Sequence, residues 1–395
     1  MGERGADYGL SEGQQDFLEW VRRVATTVTD VAPAHGAVNR PLIRTLGERG
    51  LLRALFGGEP DEPPRDAAAM QLCLLREGLA EVTTEAETAL ALQGLGSYPI
   101  LQSGNDATRD RWLPGVAGGD VVPAFALSEP DAGSDAAALS LEARPDPSAG
   151  SGHAAGWTLH GTKTWISNAP DADVYTVFAR TTPGAKARGV TAFAVAGDSP
   201  GLSGERLDMI APHALGTLCF DGVRVSRDDV LGDVDQGFGV AMRTLDLFRP
   251  SVGAFAVGMA QAALDASLAW TTERELFGGR LIDQQTTQHT LAEMATRIEA
   301  GRLLVRRAAA AYDGGAPASE VTTSAAQAKL FATETAQWVV DQAVQLHGAR
   351  GLQRGHLLER LYREVRAPRI YEGASEVQRT IIARGLMSGR MKGER

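Results

Sequence analysis

Cysteine is nearly absent from this chain of 395 residues, which has two, Cys73 and Cys219, far apart and each in an apolar context. A disulfide framework or a cysteine-based zinc site is therefore not expected, and a reducing compartment fits this composition. The seven histidines are scattered and show none of the spacings that metal sites use. The sequence accordingly predicts a protein without a bound metal.

The sequence also lacks an excess of positive charge and long apolar runs. The formal net charge of −10 argues against general affinity for nucleic acids. No uninterrupted apolar run reaches the roughly 18 residues that a membrane-spanning helix needs, and the N-terminus lacks the apolar core of a secretory signal. We therefore expect a cytoplasmic protein with no membrane span, in keeping with its 44% hydrophobic and 22% charged residues.

The spacing of apolar residues changes twice along the chain. It is helical through the first third, it alternates from Trp157 to Ile166 as in a strand with one covered face, and it becomes helical again after Gly237. Residues 145–156, rich in Pro, Gly, Ser and Ala, are expected to form a flexible excursion. The pattern predicts an α+β fold with an N-terminal helical domain (1–121), a middle antiparallel β-barrel-like domain (122–236) and a C-terminal four-helix bundle (237–395).

A short acidic segment, residues 369–376, separates two helical runs near the C-terminus. Pro368 is expected to end the first run, because proline disfavours helical geometry in the residue before it, and Gly373 frees the backbone beside Glu372. Desolvation can raise the pKa of a carboxylate held on such a turn next to apolar groups. A general base working near neutral pH requires such a shift, although an exposed turn glutamate is the commoner case.

Two segments of the β region carry groups suited to ligand binding. Residues 127–135 combine a glycine with two hydroxyls and three carboxylates, and such a loop either cradles a polar ring or a phosphate or is a decorated surface turn. Residues 163–168 end a strand with the indole of Trp165, the hydroxyl of Ser167 and the amide of Asn168. This arrangement suits a flat heteroaromatic ligand, and the alternative is that Trp165 fills the core.

Two segments of the C-terminal region place a glycine near an arginine or an amide at a predicted helix end. They are residues 274–278, with Gln285 soon after, and residues 345–351. Such groups suit a diphosphate, while C-cap glycines beside surface arginines are the alternative. Neither segment is a G-x-G-x-x-G loop after a strand, and the sequence has no P-loop, so a Rossmann domain is not indicated.

Taken in order, these segments resemble the acyl-CoA dehydrogenase family over nearly the whole chain. Each motif alone is weakly specific, and their common order is highly specific. The matching segments are residues 126–138, residues 163–168 (K-x-W-I-[ST]-N), Phe248-Arg249-Pro250, residues 274–278 (R-x-x-F-G), residues 291–294 (L-A-[DE]-M), residues 345–351 and residues 371–379.

The resemblance implies FAD as the cofactor and an acyl thioester, carried by coenzyme A or by an acyl carrier protein, as the substrate. Glu372 would remove the α-proton while the β-hydride passes to flavin N5, which gives a 2-enoyl thioester. An electron-transfer flavoprotein would accept the electrons, and the chain would assemble as a homodimer or homotetramer.

The resemblance also implies a role for individual residues. Trp165 would flank the isoalloxazine, Ser167 would hydrogen-bond near N5, and the segments at 274–285 and 345–349 would reach the pyrophosphate and adenosine of an FAD bound mainly by a neighbouring subunit. The implied cofactor-binding residues are Phe125, Leu127, Ser128, Gly133, Ser134, Trp165, Ile166, Ser167, Arg274, Phe277, Gln285, Gln345, Gly348, Ala349 and Glu376. The implied substrate-side residues are Ser134, Asp246, Phe248, Arg249, Tyr371 and Gly373.

Several positions depart from the family pattern or refine it. Phe248 stands where some members carry the catalytic glutamate, so Glu372 has no competitor there, and we expect Phe248 to narrow the acyl pocket. Asp246 and Arg249 lie three apart on one helical face and are expected to pair, near the substrate or as a structural ion pair. Ala374 replaces a common threonine, which implies one lost hydroxyl contact to FAD.

Two other functions remain open at the level of the sequence. An acyl-CoA oxidase would keep the glutamate and differ in its reaction with O₂, whereas nitroalkane oxidases place an aspartate at the position of Glu372. A flavin-binding scaffold without activity is the non-enzymatic alternative. The presence of Glu372, Trp165, Ser167 and Arg274 argues against it.

Overall fold

The computed structural model describes residues 9–31, 34, 36–58, 62–146, 156–211 and 213–393. Helices come first, then strands, then helices again, which confirms the predicted α+β class and its order of helical, sheet and helical regions. The chain forms two compact units: the first comprises Met1–Thr29, Ala68–Glu87 and Asp246–Arg395, and the second comprises Asp30–Ala67 and Thr88–Leu245. The boundaries of the three domains stay a prediction.

Helices dominate both ends of the chain. Among the described residues the α-helices are α1 (Glu12–Ala25), α2 (Arg40–Glu48), α3 (Ala69–Ala80), α4 (Thr84–Ser103), α5 (Asp106–Gly118), α6 (Gly237–Glu273), α7 (Gln285–Asp313), α8 (Ala318–His347), α9 (Leu357–Glu364) and α10 (Ser375–Gly393).

The strands are concentrated in the middle of the chain. Among the described residues they are β1 (Phe56–Gly57), β2 (Arg65–Asp66), β3 (Pro123–Ala126), β4 (Glu142–Asp146), β5 (Gly156–Ser167), β6 (Val174–Arg180), β7 (Val190–Ala196), β8 (Leu202–Arg206), β9 (Leu215–Val225), β10 (Val230–Leu231), β11 (Glu275–Leu276) and β12 (Gly279–Arg280).

The first helices begin where their capping residues stand. Ser11 and Gln14 form a reciprocal capping box at the start of α1, and the side chain of Asn39 accepts a hydrogen bond from the first turn of α2. Helix α3 is buried over almost its whole length and packs against α1 and α7 within the first unit. Two ion pairs accompany that packing, the largely buried pair of Glu77 with Arg302 at 2.7 Å and the half-buried pair of Glu81 with Arg22 at 2.8 Å.

One large sheet forms the middle of the second unit. Its strands follow the order β10-β7-β6-β4-β5-β9-β8, and β3 pairs with β6. The principal ladders are antiparallel, as predicted, whereas β3 runs parallel to β6 with Phe125 opposite Thr176. The hydroxyl of Thr176 donates to the carbonyl of Gly96 on α4 at 3.0 Å, which ties the sheet to that helix.

Two strands lacked a clear signal in the sequence. Strand β4 contains Pro145, and β8 is largely exposed, so neither shows the apolar alternation that marks a half-buried strand. Pro145 and Asp146 therefore belong to a strand and not to the predicted excursion, and Gly156 already begins β5. Residues 147–155 of that excursion lie outside the described residues.

Long helices make up the C-terminal bundle. Helices α6, α7, α8 and α10 have 37, 29, 30 and 19 residues, and α8 packs against both α7 and α10. Helix α6 is long and apolar enough to cross a membrane by length and composition alone, but 72% of its most apolar 18-residue window is buried inside the protein. Such burial is typical of the core helix of a bundle.

The two cysteines occupy different surroundings. Cys73 is buried in α3, while Cys219 is exposed on β9, although both stand among apolar residues in the sequence. Cys219 falls on the outward side of an alternating strand, whose neighbours Leu218 and Phe220 are buried.

Candidate functional site

Glu372 lies on a tight turn between two helical segments, as predicted. Helix α9 ends at Glu364, a 3₁₀ turn covers Ala367–Arg369, and α10 starts at Ser375. The φ angles are 51° at Glu372 and 94° at Gly373. The φ angle of 94° favours glycine at residue 373, where a Cβ atom would also displace Nε2 of Gln378, 2.5 Å away. Non-glycine residues keep such a conformation only where their surroundings fix it.

Three side chains fix this turn through its carbonyl oxygens. Nζ of Lys329 donates to the carbonyl of Gly373 at 2.7 Å, and Nε2 of Gln378 donates to the same oxygen at 2.8 Å. Nε of Arg249 donates to the carbonyl of Glu372 at 3.2 Å. Because these donors stand on three different helices, α8, α10 and α6, the strained backbone of Glu372 is held from several directions.

The carboxyl group of Glu372 lacks the hydrogen bonds that usually accompany burial. Its Oε2 atom is buried and has no hydrogen-bond partner within the described ranges. Burial raises the pKa of Glu372 above its ordinary value, and the positive charges of Arg76, Lys329 and Arg249 oppose that rise. A carboxylate with a raised pKa and an unoccupied lone pair has the properties of a general base.

Arg76 is a buried cation of α3 within the same unit. It forms an ion pair with Glu87, donates to the hydroxyl of Ser251 at 2.9 Å, and lies 5.7 Å from the centroid of the Phe255 ring. Tyr371 is 37% exposed, and the desolvation of its hydroxyl raises its pKa above the ordinary value while the charge of Arg76 opposes the rise. Tyr371 therefore remains a neutral phenol.

Asp246 and Arg249 pair on α6, as the sequence predicts. Nη1 of Arg249 lies 2.9 Å from Oδ1 of Asp246, whose second oxygen accepts a hydrogen bond from Thr322 at 2.9 Å. Burial raises the pKa of Asp246, which Arg249 and the hydrogen bonds oppose. The pair orients the guanidinium that reaches the carbonyl of Glu372. Phe248 beside it is fully buried, and its effect on an acyl pocket stays a prediction.

Trp165 is exposed at the end of β5 in the second unit. Its side chain is 50% exposed, so it does not fill the core, and its φ angle of 55° accompanies a shift in the β5–β9 register between Lys163 and Ile166. This bulge turns the indole outward while Ile166 is buried. Ser167 is half-buried two residues further on. An open aromatic face beside a hydroxyl fits a flat ring system.

The two candidate segments of the β region are joined to each other. The backbone N–H of Thr164 donates to the carbonyl of Ser128 at 3.1 Å, and Nζ of Lys163 donates to the carbonyl of Leu127 at 2.9 Å. Gly133 and Ser134 are exposed, and a Cβ atom at residue 133 would meet nothing within 4 Å. The loop therefore presents small groups to an open space, which suits a ligand.

A buried ion pair anchors that loop. Oε1 of Glu129 lies 2.8 Å from Nζ of Lys163 and also accepts the N–H of Leu141 at 2.9 Å, while Oε2 accepts two hydrogen bonds from Ser140. Burial alone would raise the pKa of Glu129, but Lys163 and these hydrogen bonds hold it below its usual range. Burial lowers the pKa of Lys163 to about 8, which Glu129 opposes.

The two arginine-containing segments meet at Trp270 in the first unit. The guanidinium of Arg274 lies 5.8 Å and that of Arg350 lies 4.7 Å from the centroid of this indole, whose Nε1 donates to the carbonyl of Leu346 at 3.1 Å. Both arginines are exposed. Two exposed guanidinium groups held on one ring suit an anionic ligand such as a diphosphate.

The remaining predicted residues lie at or near exposed turns and helix ends. Phe277 is 93% exposed on a turn with a φ angle of 52°. Phe125 packs on Phe178 with ring centroids 4.9 Å apart. The other predicted cofactor residues of the first unit are exposed: Gln285, Gln345, Gly348, Ala349 and Glu376. Their contacts with a cofactor stay predictions.

Comparison with known proteins decides the family. The chain matches the family models for the N-terminal, middle and C-terminal domains of acyl-CoA dehydrogenases at residues 11–120, 124–223 and 235–387. Cyclohexane-1-carbonyl-CoA dehydrogenase of Geobacter metallireducens is 33% identical over 393 residues, which cover 96% of this chain and 99% of that protein. The chain belongs to the acyl-CoA dehydrogenase family.

Other acyl-CoA dehydrogenases show the same relation. The mitochondrial short-chain specific enzyme of Mus musculus is 36% identical over 349 residues, 87% of this chain and 82% of that one. The solved structure of butyryl-CoA dehydrogenase from Megasphaera elsdenii superposes with a TM-score of 0.86 at 32% identity and covers 97% of this chain and all of that one, 100%. The protein is accordingly a flavoprotein oxidoreductase of this family.

Reasoning from the sequence missed several residues of this acyl-CoA dehydrogenase. Arg76, Lys329 and Gln378 surround the Glu372 turn, and Trp270 joins the two arginines. The available signal was a charge inside a largely apolar run, as at Arg76 next to Glu77 in Leu74–Leu79 and at Lys329 among alanines. Such a charge is seldom buried unless it is paired or functional.

Proposed function

We propose that this protein removes the α-proton and the β-hydride of an acyl-CoA thioester, with Glu372 as the base, to give a 2-enoyl thioester. The observation that carries the proposal is the carboxyl group of the half-buried Glu372, which has a raised pKa and whose buried Oε2 atom has no hydrogen-bond partner among the described residues. A base in that state can accept a weakly acidic α-proton at Oε2.

The backbone of the same turn supplies an electrophilic group. The N–H of Glu372 makes no hydrogen bond with the described residues. It can therefore donate to the thioester oxygen as negative charge develops there, which is the role of an oxyanion hole. Lys329, Arg249 and Gln378 hold the turn through its carbonyls, so the donor and the base keep a fixed relation to each other.

FAD is the cofactor, in keeping with the family. Each unit carries groups that fit such a ligand. The second unit presents the outward indole of Trp165 and the hydroxyls of Ser128 and Ser167. The first unit presents the exposed guanidinium groups of Arg274 and Arg350, which would reach an FAD bound mainly by a neighbouring subunit. When bound, FAD supplies the acceptor for the β-hydride. Among similar folds, one solved at 24% identity is described as PigA with FAD and proline.

The substrate is an acyl group on coenzyme A, and the names of the relatives support this choice. They act on cyclohexane-1-carbonyl-CoA, on short-chain acyl-CoA and on butyryl-CoA. The electron acceptor is an electron-transfer flavoprotein: a structure described as the electron transferring flavoprotein of Acidaminococcus fermentans superposes with a TM-score of 0.87 at 32% identity.

The active form is a homodimer or homotetramer. The support is a set of exposed apolar side chains that a second copy could cover. Phe277, Leu352 and Ile370 are 93%, 68% and 57% exposed.

Anaerobic bleaching of the bound flavin tests the proposal. The yellow protein is mixed with straight, branched, cyclic and aromatic acyl-CoA thioesters, and the absorbance of the oxidised flavin is followed. We expect at least one thioester to bleach it within seconds, since turnover in enzymes is commonly faster than about 1 s⁻¹. No bleaching by any member of the panel, in its CoA or its carrier-protein form, contradicts the proposal.

Two further measurements separate the alternatives. Hydrogen peroxide formed in air without an added acceptor identifies an oxidase. Bleaching by carrier-protein thioesters but not by the matching CoA thioesters identifies a carrier-bound substrate.

A further inference from the structure

Lys329 is the most deeply buried charge at the Glu372 turn. Its side chain is fully buried in α8, where the surrounding residues Ala325, Ala326, Ala328 and Ala332 are also buried. Placing an ammonium there is unfavourable unless its charge and its donors are used. Its only hydrogen bond with the described residues, 2.7 Å to the carbonyl of Gly373, ends one residue from the base.

The backbone bond by itself does not need a charged donor. Gln378 already donates to the carbonyl of Gly373 at 2.8 Å and to that of Glu372 at 3.2 Å. A neutral amide therefore satisfies the same oxygen. The positive charge of Lys329 must be accounted for separately, and the negative group whose field it feels most strongly is Glu372.

Several charges face the carboxyl group of Glu372 from the elements packed around it. Arg76 comes from α3, Arg249 from α6 and Lys329 from α8, and the phenol of Tyr371 lies next in sequence. Arg76 is already paired with Glu87 and Arg249 with Asp246.

Two other carboxylates face Lys329 itself. Glu334 and Glu376 add weaker attractions, while Arg249 repels its charge. Glu334 has its own partners, since it forms an ion pair with Arg369 at 2.8 Å and accepts a hydrogen bond from Ser375. Lys329 is thus the cation at this turn with no carboxylate hydrogen-bonded to it among the described residues.

We propose that Lys329 is a positioning residue for the base: its ammonium holds the strained turn through the carbonyl of Gly373, and its charge keeps Glu372 ionised until this carboxylate accepts the α-proton. This inference rests on the proposed function. It assigns two effects to one side chain, a backbone effect shared with Gln378 and a charge effect that Gln378 does not supply.

Lys329→Met separates these effects from simple loss of stability. The variant should fold, because Gln378 still satisfies the carbonyl of Gly373 and the substitution breaks no hydrogen-bonded ion pair among the described residues. We expect the maximal rate of anaerobic flavin reduction to fall at least about tenfold. The acid limb of its pH profile should move upward by about one pH unit, because a carboxylate loses an adjacent opposite charge.

The rate of flavin reduction is measured from about pH 5 to about pH 7.5. Burial lowers the pKa of Lys329 to about 8, so its ammonium is still charged in this range. Hydrogen exchange of the amides of residues 370–376 in the substrate-free protein provides a second readout, and it should become faster in the variant. Lys329→Arg should restore the limb. Lys329→Gln can donate a hydrogen bond but carries no charge, so it should show the same shift of the acid limb with a smaller change in hydrogen exchange. It replaces Lys329→Met if that variant fails to fold.

Thr333→Val is the matched control. Thr333 is buried one turn further along α8, and its hydroxyl donates to the carbonyl of Lys329 at 2.9 Å. The control should lower the melting temperature without moving the acid limb. An unmoved limb in both neutral variants, or the same movement in Thr333→Val, overturns the inference.

Glu372→Gln distinguishes this inference from the proposed function. If Glu372→Gln still reduces the flavin at the rate of the wild type, the proposed base is wrong. If Glu372→Gln is inactive while both neutral variants of Lys329 keep the wild-type rate and limb, the proposed function stands and only the role of Lys329 is wrong.

Discussion

Lys163 and Lys329 are both fully buried lysines, and burial lowers the pKa of each to about 8. Each interacts with one glutamate, Glu129 or Glu372, and the pKa values of these two glutamates shift in opposite directions. Glu129 accepts hydrogen bonds on both oxygens from Ser140, Leu141 and Lys163, and its pKa is lowered. Glu372 has a buried Oε2 without a partner among the described residues, and its pKa is raised.

The difference shows that a nearby cation alone does not decide whether a carboxylate is structural or can accept a proton. Direct hydrogen bonds to Glu129 stabilise its charged form and use up its lone pairs, so this residue is structural. The donors around Glu372 go to backbone carbonyls instead. They hold the position of Glu372 and leave its carboxylate available for a proton.

Breaking the structural pair should have the largest effect. In Glu129→Gln, a buried ammonium at Lys163 loses its charged partner, so we expect the free energy of unfolding to fall by about 3–5 kcal/mol. Denaturant unfolding measures it. The double variant Glu129→Gln/Lys163→Met should recover part of the loss, and Glu142→Gln, an exposed glutamate of β4, should change it by less than about 0.5 kcal/mol. A loss below about 1 kcal/mol in the single variant contradicts a structural role.

The pH dependence of stability should have opposite signs at the two glutamates. The folded-state pKa of Glu129 lies below its unfolded value, so its contribution is present above the unfolded value and is lost as the pH falls through the folded pKa. The destabilisation in Glu129→Gln should therefore shrink in acid.

The folded-state pKa of Glu372 lies above its unfolded value, so the ionised residue destabilises the fold above that pKa and the cost disappears as the pH falls through it. Glu372→Gln should thus melt at a higher temperature than the wild type at neutral pH, and the gain should vanish towards the unfolded value near 4.5. Melting curves recorded over a pH series check both signs. A lower melting temperature of Glu372→Gln at neutral pH contradicts the assignment.

Substitution of an exposed charge should have a smaller effect than substitution of a buried one. Arg274 and Arg350 are held on Trp270 at the surface, where a cation–π contact contributes about 0.5–1 kcal/mol. We expect Arg350→Gln to weaken FAD binding to the apoprotein by about two- to fivefold, as measured by fluorescence titration. Arg354→Gln, four residues further on and also exposed, is the control. Equal affinities of the two variants contradict a cofactor role for Arg350.

Much of the fold could be predicted because it follows from periodicity. Strand β5 (Gly156–Ser167) lies close to the strand predicted from Trp157 to Ile166, since its apolar alternation matches the element that formed. Strands β4 and β8 could not be predicted in this way. Their pairing with β5 and β9 depends on partners distant in sequence and not on their own composition.

The candidate site could also be predicted only in part. The turn at Glu372 and the outward Trp165 could be predicted from motifs, and both residues turn out to have positive φ angles. Arg76 and Lys329 could not be assigned, because they lie about 300 and about 40 residues from Glu372 in a sequence that does not reveal which helices meet. A charged residue on an apolar helical face was the available signal, and it does not indicate which residues that charge contacts in the fold.

The rate of anaerobic flavin reduction in Glu372→Gln tests the central claim most directly. Glu359→Gln is the matched control, because Glu359 is a glutamate of the preceding helix α9 that pairs with Arg363. With the acyl-CoA that bleaches the wild type fastest, we predict a loss of at least about 10²-fold in Glu372→Gln and a rate within about twofold of the wild type in the control. A yellow, folded Glu372→Gln protein that reduces its flavin within a few-fold of the wild-type rate would contradict the account.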